Sequence, residues 1–194
     1  LVTVLHQSVS HMTGNVSVLA MSLVHWQSES ILYLLLVTVC YVIGSFYSGV
    51  ILGNSHFRLG RRYGVPLTLV AFFIFLCWFF LPYFPRYALL WACVAMGVQN
   101  AMVSHYKGTI IRTTHLSGVL TDLGLALGYR VRGLVVERRR VVLHLLILSG
   151  FLIGGLCASW MYPYLKLNSF LVPTALSLIL SVVYWIIYFR YRRF

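Results

Sequence analysis

Uninterrupted apolar runs cover residues 31–52, 65–81, 87–103, 141–161 and 170–189, with short polar or basic pieces between them. A helix crosses the roughly 30 Å of bilayer hydrocarbon with about 20 predominantly apolar residues, so each run is about long enough to span. Two other apolar segments, 13–26 and 116–128, open on polar residues and would reach only about 20 Å as helix. They are too short to span alone. The pattern predicts an all-α, polytopic transmembrane helix bundle.

The two short segments are copies of each other. Residues 10–23 align with residues 114–127 at an offset of 104, in a shared frame His-x-Ser/Thr-Gly-x-x-Ser/Thr-x-Leu. The match continues in order: Leu35-Leu36 and Ile43-Gly44 recur as Leu145-Leu146 and Ile153-Gly154, and Pro66 with Trp78 recurs as Pro173 with Trp185. Apolar sequences align easily, but paired His, Gly, Pro and Trp do not, so the chain reads as an internal duplication. The repeats cover residues 1–82 and 87–194 and together form one membrane domain. The offset also places the first-repeat counterpart of run 87–103 mostly upstream of Leu1, which begins inside an apolar stretch with neither a basic leader nor a small-residue cleavage site.

Charge orients the bundle. Arginines gather at Arg58, Arg61 and Arg62, at five positions between Arg130 and Arg140, and at Arg190, Arg192 and Arg193, whereas connections 28–30, 82–86 and 163–169 hold only Arg86 and Lys166. By the positive-inside rule the first three groups, and hence the C-terminus, are cytoplasmic. That holds throughout only if each short segment, together with the helix before it, makes one net crossing as a broken or re-entrant element. Each repeat then crosses three times, and the second is inverted relative to the first. Inverted repeats around broken helices are an architecture of secondary transporters, an association by analogy.

Composition narrows the classes. The chain has 194 residues, 60% hydrophobic and 9% charged, with mean hydropathy +0.88, far more apolar than a soluble domain. Fifteen Lys and Arg against three acids give +12. Because the basic residues sit between apolar runs, they read as topology signals and contacts to anionic lipid at the cytoplasmic face, not as a nucleic-acid surface. Cys40, Cys77, Cys93 and Cys157 stand singly in apolar runs and read as small hydrophobes. No metal, cofactor or catalytic motif is expected, and the chain is read as not an enzyme.

Candidate chemistry lies at the two breaks. Ser, Thr and Asn ahead of a short helix suit N-capping, and Gly14 and Gly118 let backbone or ligand approach closely. A helix N-terminus inside the membrane suits an anion or carboxylate. Thr13, Gly14, Asn15, Ser117, Gly118 and Thr121 are therefore candidate solute-binding residues; the alternative is that the polar ones only cap. Gln99 and Asn100 line the same cavity or hold helices together. His11 and His115, the duplicated ionisable pair, are either proton-coupling groups or structural. Asp122, the acid expected inside the membrane, either couples protons or cations or pairs with Arg112, its nearest candidate partner in sequence. Gly44, Ser45, Ser48 and Gly49, echoed by Gly154, Gly155, Ala158 and Ser159, are small residues spaced for close helix packing.

At His11-Met-Thr-Gly-Asn15, Met96-Gly-Val-Gln-Asn-Ala101, Arg112-Thr-Thr-His-Leu-Ser-Gly118 and Thr121-Asp122 the chain resembles the YoaK-like family of bacterial membrane proteins, a domain of unknown function. The resemblance covers essentially the whole chain and implies a bacterial inner-membrane protein with about six crossings. It departs at the first helix that family members carry before Thr-Gly-Asn, most of which is absent here. The expected function is a small secondary transporter, proton-coupled, with a small, anionic solute bound near the midplane. The alternatives are a small-ion channel and a non-transporting scaffold or lipid-interacting protein. Chains this small often form homodimers.

Overall fold

The computed structural model describes residues 9–53, 61–103 and 114–191, apart from the side chains of Arg61, Arg62 and Tyr191. The described residues form seven α-helices and no strand: α1 (Met12–Val24), α2 (Ser28–Leu52), α3 (Arg61–Phe80), α4 (Pro85–Val103), α5 (Leu116–Val131), α6 (Arg138–Leu165) and α7 (Leu171–Tyr191). A 3₁₀ turn, Lys166–Phe170, precedes α7. The fold class is all-α. Three helical stretches, Ser28–Leu52, Tyr63–Phe80 and the continuous Arg138–Arg190, are long and apolar enough to cross a membrane. Helix α4 is not among them. Its alanines, Gly97, Gln99 and Asn100 suit a helix shielded by others, and nine of its residues are buried.

Contacts divide the chain into two compact units, Leu1–Ile111 with Leu167–Phe194, and Arg112–Lys166. In the first, α4 is the central helix, gripped by α2 and α3. Ala88, Leu89, Ala92 and Cys93 close a core with Val37, Cys77, Leu81 and Phe170, and Val94, Ala95 and Val98 a second with Val70 and Ile74. Lipid is as apolar as these side chains, so close packing holds such helices together rather than escape from water. Glycine makes that packing possible. A Cβ on Gly44 would overlap the Val94 carbonyl, and one on Gly97 would overlap the Tyr41 carbonyl. The Ser45 hydroxyl donates to the carbonyls of Tyr41 (3.1 Å) and Gly97 (3.2 Å) across this crossing. One turn on, Ser48 is fully buried, and its Oγ has no hydrogen-bond partner among the described residues.

Helices α2 and α4 run parallel: Glu29 meets Arg86 at 3.7 Å near their first turns, and Gly44 meets Val94 further along. Helices α3 and α7 run antiparallel. Thr68 shares a 2.8 Å hydroxyl contact with Ser181, the Trp185 indole donates to Thr68 (3.1 Å), and the Trp78 indole donates to Asn168 (3.3 Å). Thus Trp185 reaches across to the opposite helix and Trp78, the other member of the repeat-related pair, to the 3₁₀ turn that precedes α7. Ser28, the turn between α3 and α4, and Asn168 share one end of this unit; the ends of α2, α4 and α7 share the other.

The second unit is the hairpin of α5 and α6. The chain turns at Gly133, whose φ of +72° is open to glycine without strain. At the corresponding turn between α1 and α2, Trp26 takes a φ of +52°. The small residues of α6 differ from their counterparts in α2. Nothing lies within 4 Å of a Cβ built on Gly154 or Gly155, and the same is true of Gly49 in α2. The expected close packing therefore forms at Gly44 and Ser45 but not, among the described residues, at these three glycines.

The contrast predicts stability. Gly44→Ala and Gly97→Ala should each destabilise the protein by about 1–3 kcal/mol through overpacking, whereas Gly154→Ala should leave it unchanged. Ser48→Ala should stabilise it by about 1 kcal/mol by removing a buried unpaired hydroxyl. Thermal denaturation in detergent micelles measures all four.

Candidate functional site

Two hairpins, α1–α2 in the first unit and α5–α6 in the second, carry the duplicated motif. Their starts are built alike. The N-cap residues are His11 (φ −93°, ψ 69°) and His115 (φ −97°, ψ 69°), and no side chain caps either helix. Each histidine ring folds back toward the glycine three residues on, Gly14 or Gly118. The Ser17 hydroxyl donates to the Thr13 carbonyl (3.0 Å), and Thr121, at the matching position, donates to the Ser117 carbonyl (2.9 Å). The two motifs thus share local geometry as well as sequence. It also corrects the capping expectation: the Ser and Thr hydroxyls bond back along their own helices, a use these residues find inside helices, and the caps are histidines.

His11, Thr13, His115, Ser117 and Thr121 are exposed, while Gly14 and Gly118 are half-buried. The residue after each glycine turns inward: Asn15 is buried in the first hairpin and Val119 in the second. On α1, Asn15 and Ser22 are the buried positions, seven residues or about 10 Å apart on one face. Below Asn15 that face leads to a cavity of about 240 Å³ lined by Val18, Ser22, Gln27, Glu29, Ser30, Tyr33, Leu34 and Arg86. Polar groups of three helices converge there, and a carboxylate and a guanidinium flank it. Gln99 is half-buried and Asn100 buried on α4, where the Asn100 amide donates to the Met96 carbonyl (3.0 Å).

At the matching place in the second hairpin stands a charge cluster. The Arg140 guanidinium donates to Asp122 Oδ2 at 3.1 Å, and His144 Nε2 lies 3.4 Å from the same oxygen. His144 is buried, Asp122 two-thirds buried and Arg140 half-exposed. By the repeat offsets, Asp122, Arg140 and His144 stand where Val18, Ser30 and Leu34 line the first hairpin's cavity. One carboxylate oxygen serves two basic groups, one permanently charged and one charged only when protonated.

Arg112, the partner expected for Asp122, lies outside the described residues; among the described ones, Arg140 and His144 meet Asp122 from across the hairpin. Sequence reading passed over both, together with Ser22, Tyr33 and the Glu29–Arg86 pair. The available signal was a histidine inside a membrane-length apolar run, four residues after an arginine and so on one helical face with it. Among the described residues no group of three or more His, Cys, Asp or Glu is arranged to hold a metal.

A double-mutant cycle tests the cluster. Asp122→Asn and His144→Leu, singly and together, should show a coupling of about 1 kcal/mol or more in thermal stability. Arg140→Gln should couple more weakly, since its head is half in solvent.

No curated protein and no solved structure matches the chain. A family match, by contrast, runs over residues 1–183, taking in both hairpins, the cavity and the Asp122 cluster. The chain belongs to the family described as protein of unknown function (DUF1275).

Proposed function

We propose that the chain is a multi-pass protein of a bacterial inner membrane, with its C-terminus cytoplasmic, that works as a small secondary transporter coupled to protons. The observation that carries this reading is the Asp122–Arg140–His144 cluster, set where its sister hairpin has a polar cavity. An ionisable group in a membrane helix is costly enough to be a functional candidate, and a carboxylate beside a buried histidine supplies both partners of a proton transfer. The polar face of α1, from Asn15 through Ser22 to the cavity, supplies donors and acceptors for a small solute.

The inverted arrangement has its own support. Repeat-related helices α3 and α7 run antiparallel, as helices exchanged by an axis in the membrane plane must.

Proteoliposomes loaded with a pH-sensitive dye and challenged with a panel of carboxylates, amino acids, sugars and phosphate test the proposal. The expected result is solute-dependent, saturable proton movement. Asp122→Asn should reduce accumulation driven by a pH gradient at least tenfold while leaving solute counterflow in place. Non-saturable conduction would indicate a channel. Proton movement in the Asp122→Asn variant equal to wild type would remove Asp122 from the mechanism.

A further inference from the structure

The α5–α6 hairpin has a second opening beside the Asp122 cluster, a groove of about 570 Å³, within the range of about 300–1,000 Å³ that holds small organic ligands. Leu123, Leu127 and Arg130 line it from α5, and Arg138, Val141 and Leu145 from α6. Spacings of three, four and seven residues put each set on one helical face. The helices are antiparallel across a short turn, so both arginines fall at the turn end and the apolar side chains run away from them along the groove. Charge at one end and hydrocarbon along the length is the outline of a phospholipid.

The charged end is well supplied. Five arginines and one acid, Glu137, between residues 130 and 140 give a local charge of +4 (5 − 1). No ion pair among the described residues engages Arg130 or Arg138. Arg138, Arg139 and Arg140 also occupy the first turn of α6, the positive end of its dipole, where cations are unfavourable and an anion would relieve the field. A zwitterionic headgroup would answer this excess poorly. A free anion would leave the apolar strips unused.

We infer that this groove is a binding site for one anionic phospholipid, its phosphate held by Arg130 and Arg138 and an acyl chain laid between Leu127 on α5 and Val141 and Leu145 on α6. The inference rests on the membrane reading of the chain and not on transport, and basic pockets between helices at the cytoplasmic surface are known to take such lipids.

Native mass spectrometry of the full protein in detergent, titrated with phosphatidylglycerol or phosphatidylcholine, tests it. The expected result is one retained phosphatidylglycerol per chain, bound at least tenfold more tightly than phosphatidylcholine. Arg130→Gln with Arg138→Gln should lose at least tenfold, and Leu127→Asn, at an exposed position, several-fold. Arg190→Gln, outside the groove, should bind as wild type does, and millimolar inorganic phosphate should not displace the lipid. Equal binding of the two lipids, retention by the arginine double variant, or displacement by phosphate would each overturn the site. Loss of the lipid site with proton-coupled uptake intact, or the reverse, separates this inference from the transport proposal.

Discussion

The crossing of α2 and α4 at Gly44 and Gly97 is the contact on which the first unit is built. Two backbones meet there so closely that neither position has room for a methyl group, and Ser45 ties the crossing with a hydrogen bond to the Gly97 carbonyl. Because lipid would solvate these side chains as well as protein does, the gain comes from contact alone, and small residues set how much contact is available. With α4 fixed on α2, helix α3 closes the other face. The Ser28 end of α2 and the Pro85 end of α4 are thereby brought to the same side, and the cavity beneath Asn15 forms there with Arg86 at its rim.

The two hairpins show one structural idea used twice with different chemistry. Both begin at a histidine N-cap, both bring the ring back toward a glycine, and both bond a hydroxyl to the carbonyl four residues earlier. Three of their side-chain differences fall at one place. Where the first has Val18, Ser30 and Leu34 and a cavity, the second has Asp122, Arg140 and His144 and an ion cluster.

Much of this was legible in the chain. Apolar runs of membrane length gave the long helices to within a few residues, 31–52 becoming Ser28–Leu52 and 170–189 becoming Leu171–Tyr191, because composition alone decides whether a segment prefers lipid. The paired His, Gly, Pro and Trp located the duplication, and the structure gives its two motifs matching geometry. What escaped was tertiary. The turn at Gly133 carries the start of α6 back beside the middle of α5, so Asp122 meets partners eighteen and twenty-two residues further along the chain. The small residues of α2 and α6 likewise read alike in sequence, and what distinguishes the packed Gly44 from the open Gly49, Gly154 and Gly155 is the Val94 carbonyl lying against it. Capping was misjudged for a local reason: Ser and Thr serve equally well as caps and as back-bonding residues within a helix, and the motif uses them in the second way.

Sidedness of the turn between α5 and α6 tests the inverted duplication most directly. Single cysteines at Ser28, Val135 and Lys166, in a protein lacking its four native cysteines, would be labelled from each side of the membrane with an impermeant reagent. Inverted repeats require Val135→Cys to label from the cytoplasmic side and Ser28→Cys and Lys166→Cys from the opposite side. Labelling of Val135→Cys from the same side as Ser28→Cys would make the repeats parallel and contradict the inverted architecture from which the transport proposal follows.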